Sequence, residues 1–366
     1  MKFIINREQL LLPLQQIVSV IEKRQTMPIL SNVLLTVNDN KLKLTGTDLE
    51  IQLIATINLD SNEMGEITVP ARKFLDIVRL LPNESEIKLE LSDEKVKISS
   101  GRSRFSLSTL SADNYPEFTE SEMDNQFLIN AGKMKKALDK TVFCMANQDV
   151  RYYLNGLMLN ISNSKLKLVA SDGHRLSIYE DSIGQATGYE ARIILPRKGV
   201  IELARLLDDD EAELNIQFSN SNIRIYFKDI VFSAKLVDAK YPDFSKVFDQ
   251  PFFNQIHIQK KLLKDALTRV AILANEKFKG ITFDISEGLL KLSSHNPEHD
   301  EAIEELIIEY HGDSLSIAFN SQYLLDAVSN LDSELAVLTI ASNSSSCFVE
   351  EPEQQLYKFI VMPMRL

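Results

Sequence analysis

One short stretch of the sequence carries the residue types of a hydrolase. Ser171, Asp172 and His174 bring a hydroxyl, a carboxylate and an imidazole within four positions. Catalytic triads are assembled in space from separated positions, and neighbouring residues rarely form one. We therefore interpret residues 171–175 as a turn at a strand end whose side chains line a groove, and keep a hydrolase as the alternative function.

A second polar window, around His295 and His299, contains residue types that bind metals. The sequence offers no distant third ligand, so we interpret the window as an acidic, solvated loop. There is no GxxxxGK[ST], no GxGxxG and no HExxH, which are the patterns of phosphate, dinucleotide and zinc sites. No cofactor, metal or catalytic residue is predicted.

Both windows lie inside a pattern that repeats along the chain. Residues 40–48 read NKLKLTGTD, and residues 164–172 read SKLKLVASD, 124 positions later. A weaker copy, GLLKLSSHN at 288–296, follows after another 124 positions. Because domains contain roughly 100–200 residues, a chain of 366 residues with this period is predicted to hold three of them.

Each repeat has the same predicted order of elements. A strand leads into an amphipathic helix, alternating strands form a hairpin, a second helix follows, and a closing strand ends the repeat. The hairpin strands are 33–37 with 41–44, 157–161 with 165–168, and 281–285 with 289–292. The helices are 6–24, 72–81, 130–147, 197–207, 259–277 and 321–331.

The closing strands locate the repeat ends. In the first two repeats they lead to Tyr115-Pro116 and Tyr241-Pro242, and in the third the strand ends the chain at 359–363. We predict an α+β fold of three repeated domains, each with two helices on antiparallel sheets. The domains are 1–124, 125–253 and 254–366, joined by short linkers.

The composition is that of a globular protein, with 44% hydrophobic and 25% charged residues. The amino terminus meets charged residues before an apolar segment can form, and no apolar run reaches membrane-spanning length. A cytoplasmic location is therefore expected. Cys144 and Cys347 lie in different repeats without CxxC spacing, so both are expected to be buried free thiols.

Charge is segregated by element. The six predicted helices carry 18 Lys/Arg and 8 Asp/Glu, whereas the whole chain has a net charge of -12. A solvated helix face explains this bias for any single helix, but five of the six helices share it, and only 321–331 lacks a basic residue. A shared basic surface within an acidic body suits contact with phosphate groups without sequence readout.

Domain size limits how such a surface could surround DNA. A domain of about 120 residues is roughly 35 Å across when it is treated as a sphere. Three spheres in a ring leave a hole of only ~5 Å, whereas six leave one of ~35 Å, which is wide enough for a duplex. Encircling DNA therefore requires two chains.

Several motifs, in their order along the chain, resemble those of the beta-subunit family of bacterial DNA polymerase III, the sliding clamps. They are Gly101–Leu110, Gln148–Gly156, Ser171–Leu176, Asn275–Phe278 and Val361–Leu366. The resemblance implies a DNA clamp fold, in which a head-to-tail homodimer forms a ring of six domains without catalytic activity. It also implies that the ring encircles double-stranded DNA without sequence preference, tethers the polymerase III catalytic subunit, is opened by a clamp loader complex, and binds short peptide motifs of other polymerases and repair proteins.

The resemblance assigns two sets of site residues. The DNA contacts are Arg24, Arg72, Gln148, Tyr152 and Tyr153. The partner-peptide pocket comprises Leu154, Ser171, Gly173, His174, Arg175, Leu176, Pro242, Lys246, Val247, Ser346, Ile360, Val361, Met362, Pro363 and Met364. Related clamps often carry Thr at position 171 and Arg at position 246, so the peptide preference of this chain is expected to differ while the pocket is kept.

The head-to-tail arrangement also predicts a dimer seam with complementary charge. A basic and apolar segment of the first domain would face an apolar pair and an acidic run of the third domain. The seam residues are Lys73, Arg102, Arg104, Phe105, Leu107, Ile272, Leu273, Glu298, Asp300, Glu301 and Glu304. The methionine-containing tail, residues 360–366, is interpreted as an adaptable partner surface or as a docked terminal strand, and a scaffold protein that forms no ring is a further alternative.

Overall fold

The computed structural model describes residues 1–22, 27–60, 63–118, 122–207, 211–248 and 255–365. Within these ranges the chain forms six α-helices and 24 β-strands, which we number in chain order. Two compact units result. The first contains residues 1–135 and 198–238, and the second contains residues 136–197 and 239–366.

Two helices form in each repeat, as predicted. Helix α1 begins after Asn6, whose side-chain oxygen accepts a hydrogen bond of 3.0 Å from the backbone N–H of Glu8. Asn320 caps α6 in the same way. A short polar side chain at this position satisfies N–H groups that have no partner within the helix. The helices are α1 (Arg7–Val20), α2 (Ala71–Leu80), α3 (Ala131–Asp139), α4 (Arg197–Leu206), α5 (Lys260–Ala271) and α6 (Ser321–Ser329).

The predicted helices 130–147 and 259–277 are too long. Helix α3 ends at Asp139, where the Thr141 hydroxyl donates to the carbonyl of Ala137 at 2.7 Å. Helix α5 ends at Ala271 and its last turn tightens, because the N–H of Ile272 donates to the carbonyl of Arg269. Apolar residues continue beyond both ends and maintain the periodicity, so the sequence pattern alone overestimates these helices.

The first unit contains two antiparallel sheets. A four-stranded sheet has the order β1-β6-β7-β8, and an eight-stranded sheet has the order β5-β2-β3-β4-β16-β15-β14-β9. The strands are β1 (Lys2–Asn6), β2 (Asn32–Asn38), β3 (Lys41–Thr47), β4 (Ile51–Asn58), β5 (Gly65–Pro70), β6 (Glu86–Ser92), β7 (Lys95–Ser100), β8 (Ser103–Ser108), β9 (Asn125–Asn130), β14 (Glu213–Phe218), β15 (Asn222–Phe227) and β16 (Ile230–Lys235).

The second unit repeats this plan. Its eight-stranded sheet has the order β13-β10-β11-β12-β24-β23-β22-β17, and its four-stranded sheet has the order β20-β19-β18-β21. The strands are β10 (Gly156–Ser162), β11 (Lys165–Ser171), β12 (Arg175–Ser182), β13 (Glu190–Pro196), β17 (Gln255–Gln259), β18 (Gly280–Ser286), β19 (Leu289–His295), β20 (Glu301–Ile307), β21 (Leu315–Asn320), β22 (Leu335–Ile340), β23 (Cys347–Glu350) and β24 (Tyr357–Val361).

Every repeat therefore supplies eight strands, whereas the sequence predicts only a leading strand, one hairpin and a closing strand. The closing strand of the first repeat is β8, which ends at Ser108. Tyr115 lies beyond it, is buried, and donates its hydroxyl to the carbonyl of Thr45 at 3.1 Å. The Tyr-Pro turn thus fastens the end of the repeat onto the sheet.

The core lies between the helices and the sheets. Leu10, Leu14 and Ile17 recur on one face of α1, are fully buried, and pack toward β3 and β4. Gly46 allows this close approach, because a Cβ atom there would lie 2.7 Å from the Ile17 Cγ2 atom. In the second unit α5 packs against β19 and β20 and buries Leu263 completely.

Candidate functional site

The turn between β11 and β12 is held by its own polar side chains. The Ser171 hydroxyl donates to the carbonyl of Arg175 at 2.7 Å and accepts from the N–H of Gly173 at 3.0 Å. The Asp172 carboxylate accepts from the N–H groups of His174 and Arg175. Gly173 adopts a φ of 87°, a left-handed conformation that favours glycine.

A separate turn with equivalent hydrogen bonds closes the hairpin of β3 and β4. Thr47 donates to the carbonyl of Ile51 at 2.7 Å, and Asp48 accepts from the N–H groups of Glu50 and Ile51. Leu49 takes the place of Gly173 at a φ of 79°. The repeated sequence pattern therefore encodes a repeated turn.

In the second unit the residues named for a hydrolase have separate structural contacts. The Ser171 hydroxyl is held by backbone groups, and Asp172 pairs with the Arg175 Nε atom at 2.9 Å. The His174 ring stacks on Tyr323 with 6.4 Å between the ring centroids. The geometry agrees with a strand-end turn that lines a groove.

A cavity of about 270 Å³ opens beside this turn. Its floor is apolar and consists of Leu154 and Leu176, from the loop before β10 and from β12, together with Ile360 of β24. The structure brings nine residues of the predicted pocket into its lining: Leu154, Ser171, Gly173, Arg175, Leu176, Pro242, Val247, Ile360 and Met362. An apolar cleft of this size with few polar groups is typical of a site for small or extended ligands.

Arg175 is fixed within the wall of the cavity. Its Nε atom donates to Asp172 at 2.9 Å, and its NH1 group donates to Asp326 of α6 at 2.5 Å. The guanidinium carbon lies 4.4 Å from the ring centroid of Tyr323, and 13% of the side chain is exposed. Arg175 therefore ties β12 to α6 and stiffens the pocket wall.

A loop that precedes β10 forms another part of the rim. Asp149 and Asn155 hold its two ends together through hydrogen bonds of 2.9 and 2.8 Å between side chain and backbone. Arg151 pairs with the Asp149 carboxylate, and these hydrogen bonds lower the pKa of Asp149 to about 2. The rings of Tyr152 and Tyr153 meet edge to face at 6.1 Å, and Tyr153 also lines the cavity.

The other predicted pocket residues are absent from the described lining of this cavity. The N–H of Met362 donates to the carbonyl of His174 at 2.8 Å, so the tail is attached to the turn. Met364 pairs by backbone with Ala318 and lines a different cavity, beside Phe278. Ser346 and Val361 are buried, Pro363 follows β24, and the side chain of Lys246 lies outside the described atoms.

Sequence reasoning missed four residues that line the cavity. Arg151 lies on the loop before β10, and Tyr241, Asp243 and Phe244 lie in the segment that follows β16. The sequence contained a signal for the latter three, because residues 241–244 read YPDF and residues 115–118 read YPEF. Burial raises the pKa of Tyr241.

The six helices remain basic when their observed bounds are used, because together they contain 14 Lys/Arg and 6 Asp/Glu. Arg72 is exposed at the start of α2 and donates to the carbonyl of Ile21 at 3.0 Å. Gln148 and Tyr152 are exposed on the loop before β10, whereas Arg24 lies outside the described residues. Lys198 of α4 is paired with Glu22 at 2.8 Å and with Asp48, so its charge is neutralised within the first unit.

Each four-stranded sheet ends in an uncovered strand. Along β8, five of the six residues are exposed, including Arg104 and Phe105, and β20 alternates between exposed and half-buried residues. Ile272 is 74% exposed just after α5. Of the predicted seam residues, Arg104, Phe105 and the buried Leu107 lie on β8, and Glu301 and Glu304 lie on β20, where Glu304 is already paired with Arg269 at 2.7 Å. Lys73 lies on α2.

The cysteines and the histidine window remain apart from these surfaces. Cys144 and Cys347 are buried and reduced, and burial raises the pKa of both thiols. Across the described residues, no three His, Cys, Asp or Glu side chains are placed to hold a metal ion together. Within the same ranges, no helix has both the length and the apolar content needed to cross a bilayer.

Family models match nearly the whole chain. The N-terminal, central and C-terminal domains of the DNA polymerase III beta subunit match residues 1–119, 128–243 and 245–365. The chain belongs to the DNA polymerase III beta-subunit family. This confirms the resemblance inferred from the motifs and the predicted fold of three repeated domains.

Members of the beta-subunit family match the chain from end to end. The beta sliding clamps of Pseudomonas aeruginosa and of Escherichia coli K12 are both 43% identical over the full length of both chains. A crystal structure of the P. aeruginosa DNA polymerase sliding clamp with a ligand superposes with a TM-score of 0.97 at 42% identity, again over all of both chains. A sliding clamp from Bartonella birtlesii bound to griselimycin superposes at 0.96 with 32% identity and the same full coverage.

Proposed function

We propose that this chain is a DNA sliding clamp, which encircles duplex DNA and tethers the replicative polymerase for processive synthesis. The observation that carries the proposal is the match of three beta-subunit domains, in order, along the full chain. The basic helices support it, because phosphate contacts without base readout allow a protein to slide. We further propose that the chain has no catalytic site, binds no cofactor, and divides at 1–124, 125–253 and 254–366.

The proposed DNA contacts are Arg24, Arg72, Gln148, Tyr152 and Tyr153. Direct affinity for DNA is expected to be weak and salt-sensitive, because retention depends on topology rather than on tight contacts. The test loads the protein onto nicked circular DNA with its clamp loader and then linearises the circle. A sliding ring leaves the linear DNA through its free ends, whereas protein that stays bound contradicts the proposal.

The exposed strands β8 and β20 support a head-to-tail homodimer. Within the chain, β4 pairs with β16 and β12 pairs with β24, and each pair completes an eight-stranded sheet. By repeat, β20 corresponds to β4 and β12, and β8 corresponds to β16 and β24. Pairing of β20 with the β8 strand of a second copy would complete a third such sheet and cover both open edges.

The internal repeat also predicts the register of this seam. Ala55 is opposite Ile230 across β4 and β16. In the equivalent hairpins β3–β4 and β19–β20, Ala55 and Glu304 pair with equivalent residues of the preceding strand, so Glu304 is the counterpart of Ala55. In the equivalent hairpins β15–β16 and β7–β8, Ile230 and Ser103 correspond in the same way. Ser103 of one copy should therefore lie opposite Glu304 of the other.

A cysteine pair tests this register. Opposed residues of antiparallel strands have Cα atoms about 4.5–5.5 Å apart, within the reach of a disulfide. S103C combined with E304C should give a covalent dimer on mild oxidation, and S103C combined with I307C should not. Equal cross-linking of both pairs would refute the register.

The cavity beside Gly173 is proposed as the partner-peptide pocket. Its apolar floor and the flexible Met362 suit the burial of large side chains from several competing partners. The proposed partners are the polymerase III catalytic subunit, the clamp loader, and other polymerases and repair proteins. All of them would bind through short peptide motifs.

Removal of the tail tests the pocket. Deleting residues 362–366 removes the backbone bonds from Met362 to His174 and from Met364 to Ala318. Fluorescence titration of a labelled polymerase-derived peptide should show binding to the full chain and none to the truncated chain. Sedimentation checks that both forms remain dimers, and equal affinity of two dimeric forms would place the pocket elsewhere.

A further inference from the structure

Arg151 lies on the pocket rim and was not among the predicted site residues. Its Nε and NH2 groups donate to the two Asp149 carboxylate oxygens at 3.0 and 2.8 Å. The NH2 group also donates to the backbone carbonyl of Asp172 at 3.0 Å. The guanidinium is therefore held from the loop on one side and from the β11–β12 turn on the other.

These contacts orient the remaining NH1 group over the turn. A Cβ atom on Gly173 would lie 2.6 Å from NH1, so the guanidinium rests directly on the glycine. Among the described residues, the hydrogen bonds of Arg151 leave both NH1 protons without an acceptor. Since 44% of the side chain is exposed and Arg151 lines the cavity, these donors can reach a ligand.

The two arginines of the pocket thus differ in exposure, which is 13% for the Arg175 side chain and 44% for Arg151. Arg175 donates to Asp172 and Asp326 and lies against the Tyr323 ring. Its side chain is 13% exposed, so its role is to stiffen the wall. Arg151 pairs with Asp149, is 44% exposed, and has no acceptor for NH1 among the described residues.

One carboxylate also lines the cavity and opposes anion binding. Asp243 lies in the segment that follows β16, and its side chain accepts from the backbone N–H of Ser245 at 2.9 Å. The lining therefore contains two arginines and one aspartate, and the Asp149, Asp172 and Asp326 carboxylates also bind these arginines, so an acidic ligand would be held by local donors and not by net charge. An acidic group on a ligand would meet its strongest donor at Arg151, because a guanidinium binds a carboxylate through charge-assisted hydrogen bonds.

We propose that Arg151 is a specificity-determining residue of the peptide pocket, and that its NH1 group binds an acidic side chain next to the apolar anchors of a partner peptide. This inference rests on the proposed function of the cavity as a peptide site. Gly173 provides the space, and Asp149 with the Asp172 carbonyl fixes the direction of the donors.

The test compares two fluorescein-labelled peptides on the full-length protein. One is a polymerase-derived peptide with an acidic residue beside its apolar anchors, and the other carries the corresponding amide at that position. The variants are R151Q and R151K, and R192Q is the matched control, because Arg192 is exposed on β13 and does not line the cavity. Thermal melting checks that each variant is folded.

Wild type and R192Q should bind the acidic peptide about five- to tenfold more tightly than the amide peptide, the range for a partly exposed charge-assisted hydrogen bond. R151Q should bind both peptides with the affinity that wild type has for the amide peptide. R151K should recover little of the preference, because a lysine cannot keep the forked contacts that orient the donor.

The outcomes separate the two proposals. If wild type binds neither peptide, the cavity is not a peptide site and both proposals fail. If wild type binds both peptides but R151Q keeps the preference for the acidic one, only the role of Arg151 is overturned. A uniform loss of affinity for both peptides in R151Q likewise contradicts carboxylate recognition, because it indicates a general effect on the pocket.

Discussion

Replacing Ile272 by alanine is expected to weaken the proposed dimer about 30- to 1,000-fold. Full burial of an isoleucine side chain contributes about 1.5–3 kcal/mol. Since Ile272 is 74% exposed in the single chain, covering it at the seam contributes about 1–2 kcal/mol. A head-to-tail dimer contains the seam twice, so the two substitutions together cost about 2–4 kcal/mol, which gives the stated change in the dissociation constant.

Sedimentation velocity across a nanomolar to micromolar dilution series measures this change. The matched control is I201A, which removes the same atoms from a residue that is 43% exposed on α4 and lies outside the predicted seam. I272A should dissociate at concentrations where wild type and I201A remain dimeric. Indistinguishable dissociation constants for all three proteins would show that Ile272 is not covered by a partner.

Three further predictions follow from single contacts. K198M should destabilise the first unit by about 1–3 kcal/mol in urea unfolding, because the buried Asp48 carboxylate loses its cation. D149N should remove one pH dependence of stability. The lowered pKa of Asp149 stabilises the folded chain at pH values above the ordinary pKa, near 4, and this contribution is lost as the pH falls toward 2. Thermal melts of wild type and D149N should therefore converge at low pH. G173A should displace the Arg151 guanidinium and strain the backbone, which lowers both melting temperature and peptide affinity, whereas an unchanged melt and affinity would show that the turn can relax.

The sequence by itself determined the triplication and the kinds of elements. Two KLKL segments and the related LLKL at 289–292 predicted three copies of one hairpin, and each forms at the predicted place as β2–β3, β10–β11 and β18–β19. Helix periodicity located all six helices, because amphipathic patterns are local and strong. Motif order alone identified the family.

Other features depended on contacts that no local pattern contains. Helix α3 ends early because hydroxyl groups, including that of Ser177 on a distant strand, bind the carbonyls at its end. The joining of repeats into eight-stranded sheets through β4–β16 and β12–β24 is likewise a long-range pairing. The sequence predicted only a leading strand, one hairpin and a closing strand in each repeat, because the remaining strands are short and their alternation is weak.

The pocket shows the same division. Leu154, Leu176 and Ile360 could be named from motifs, but their convergence on one cavity is a product of the tertiary fold. Only the structure distinguishes Arg175, which is 13% exposed and bound to Asp172 and Asp326, from Arg151, which is 44% exposed and has no acceptor for NH1 among the described residues. The sequence fixes which groups a chain possesses, whereas hydrogen bonding in three dimensions decides which of them remain available to a ligand.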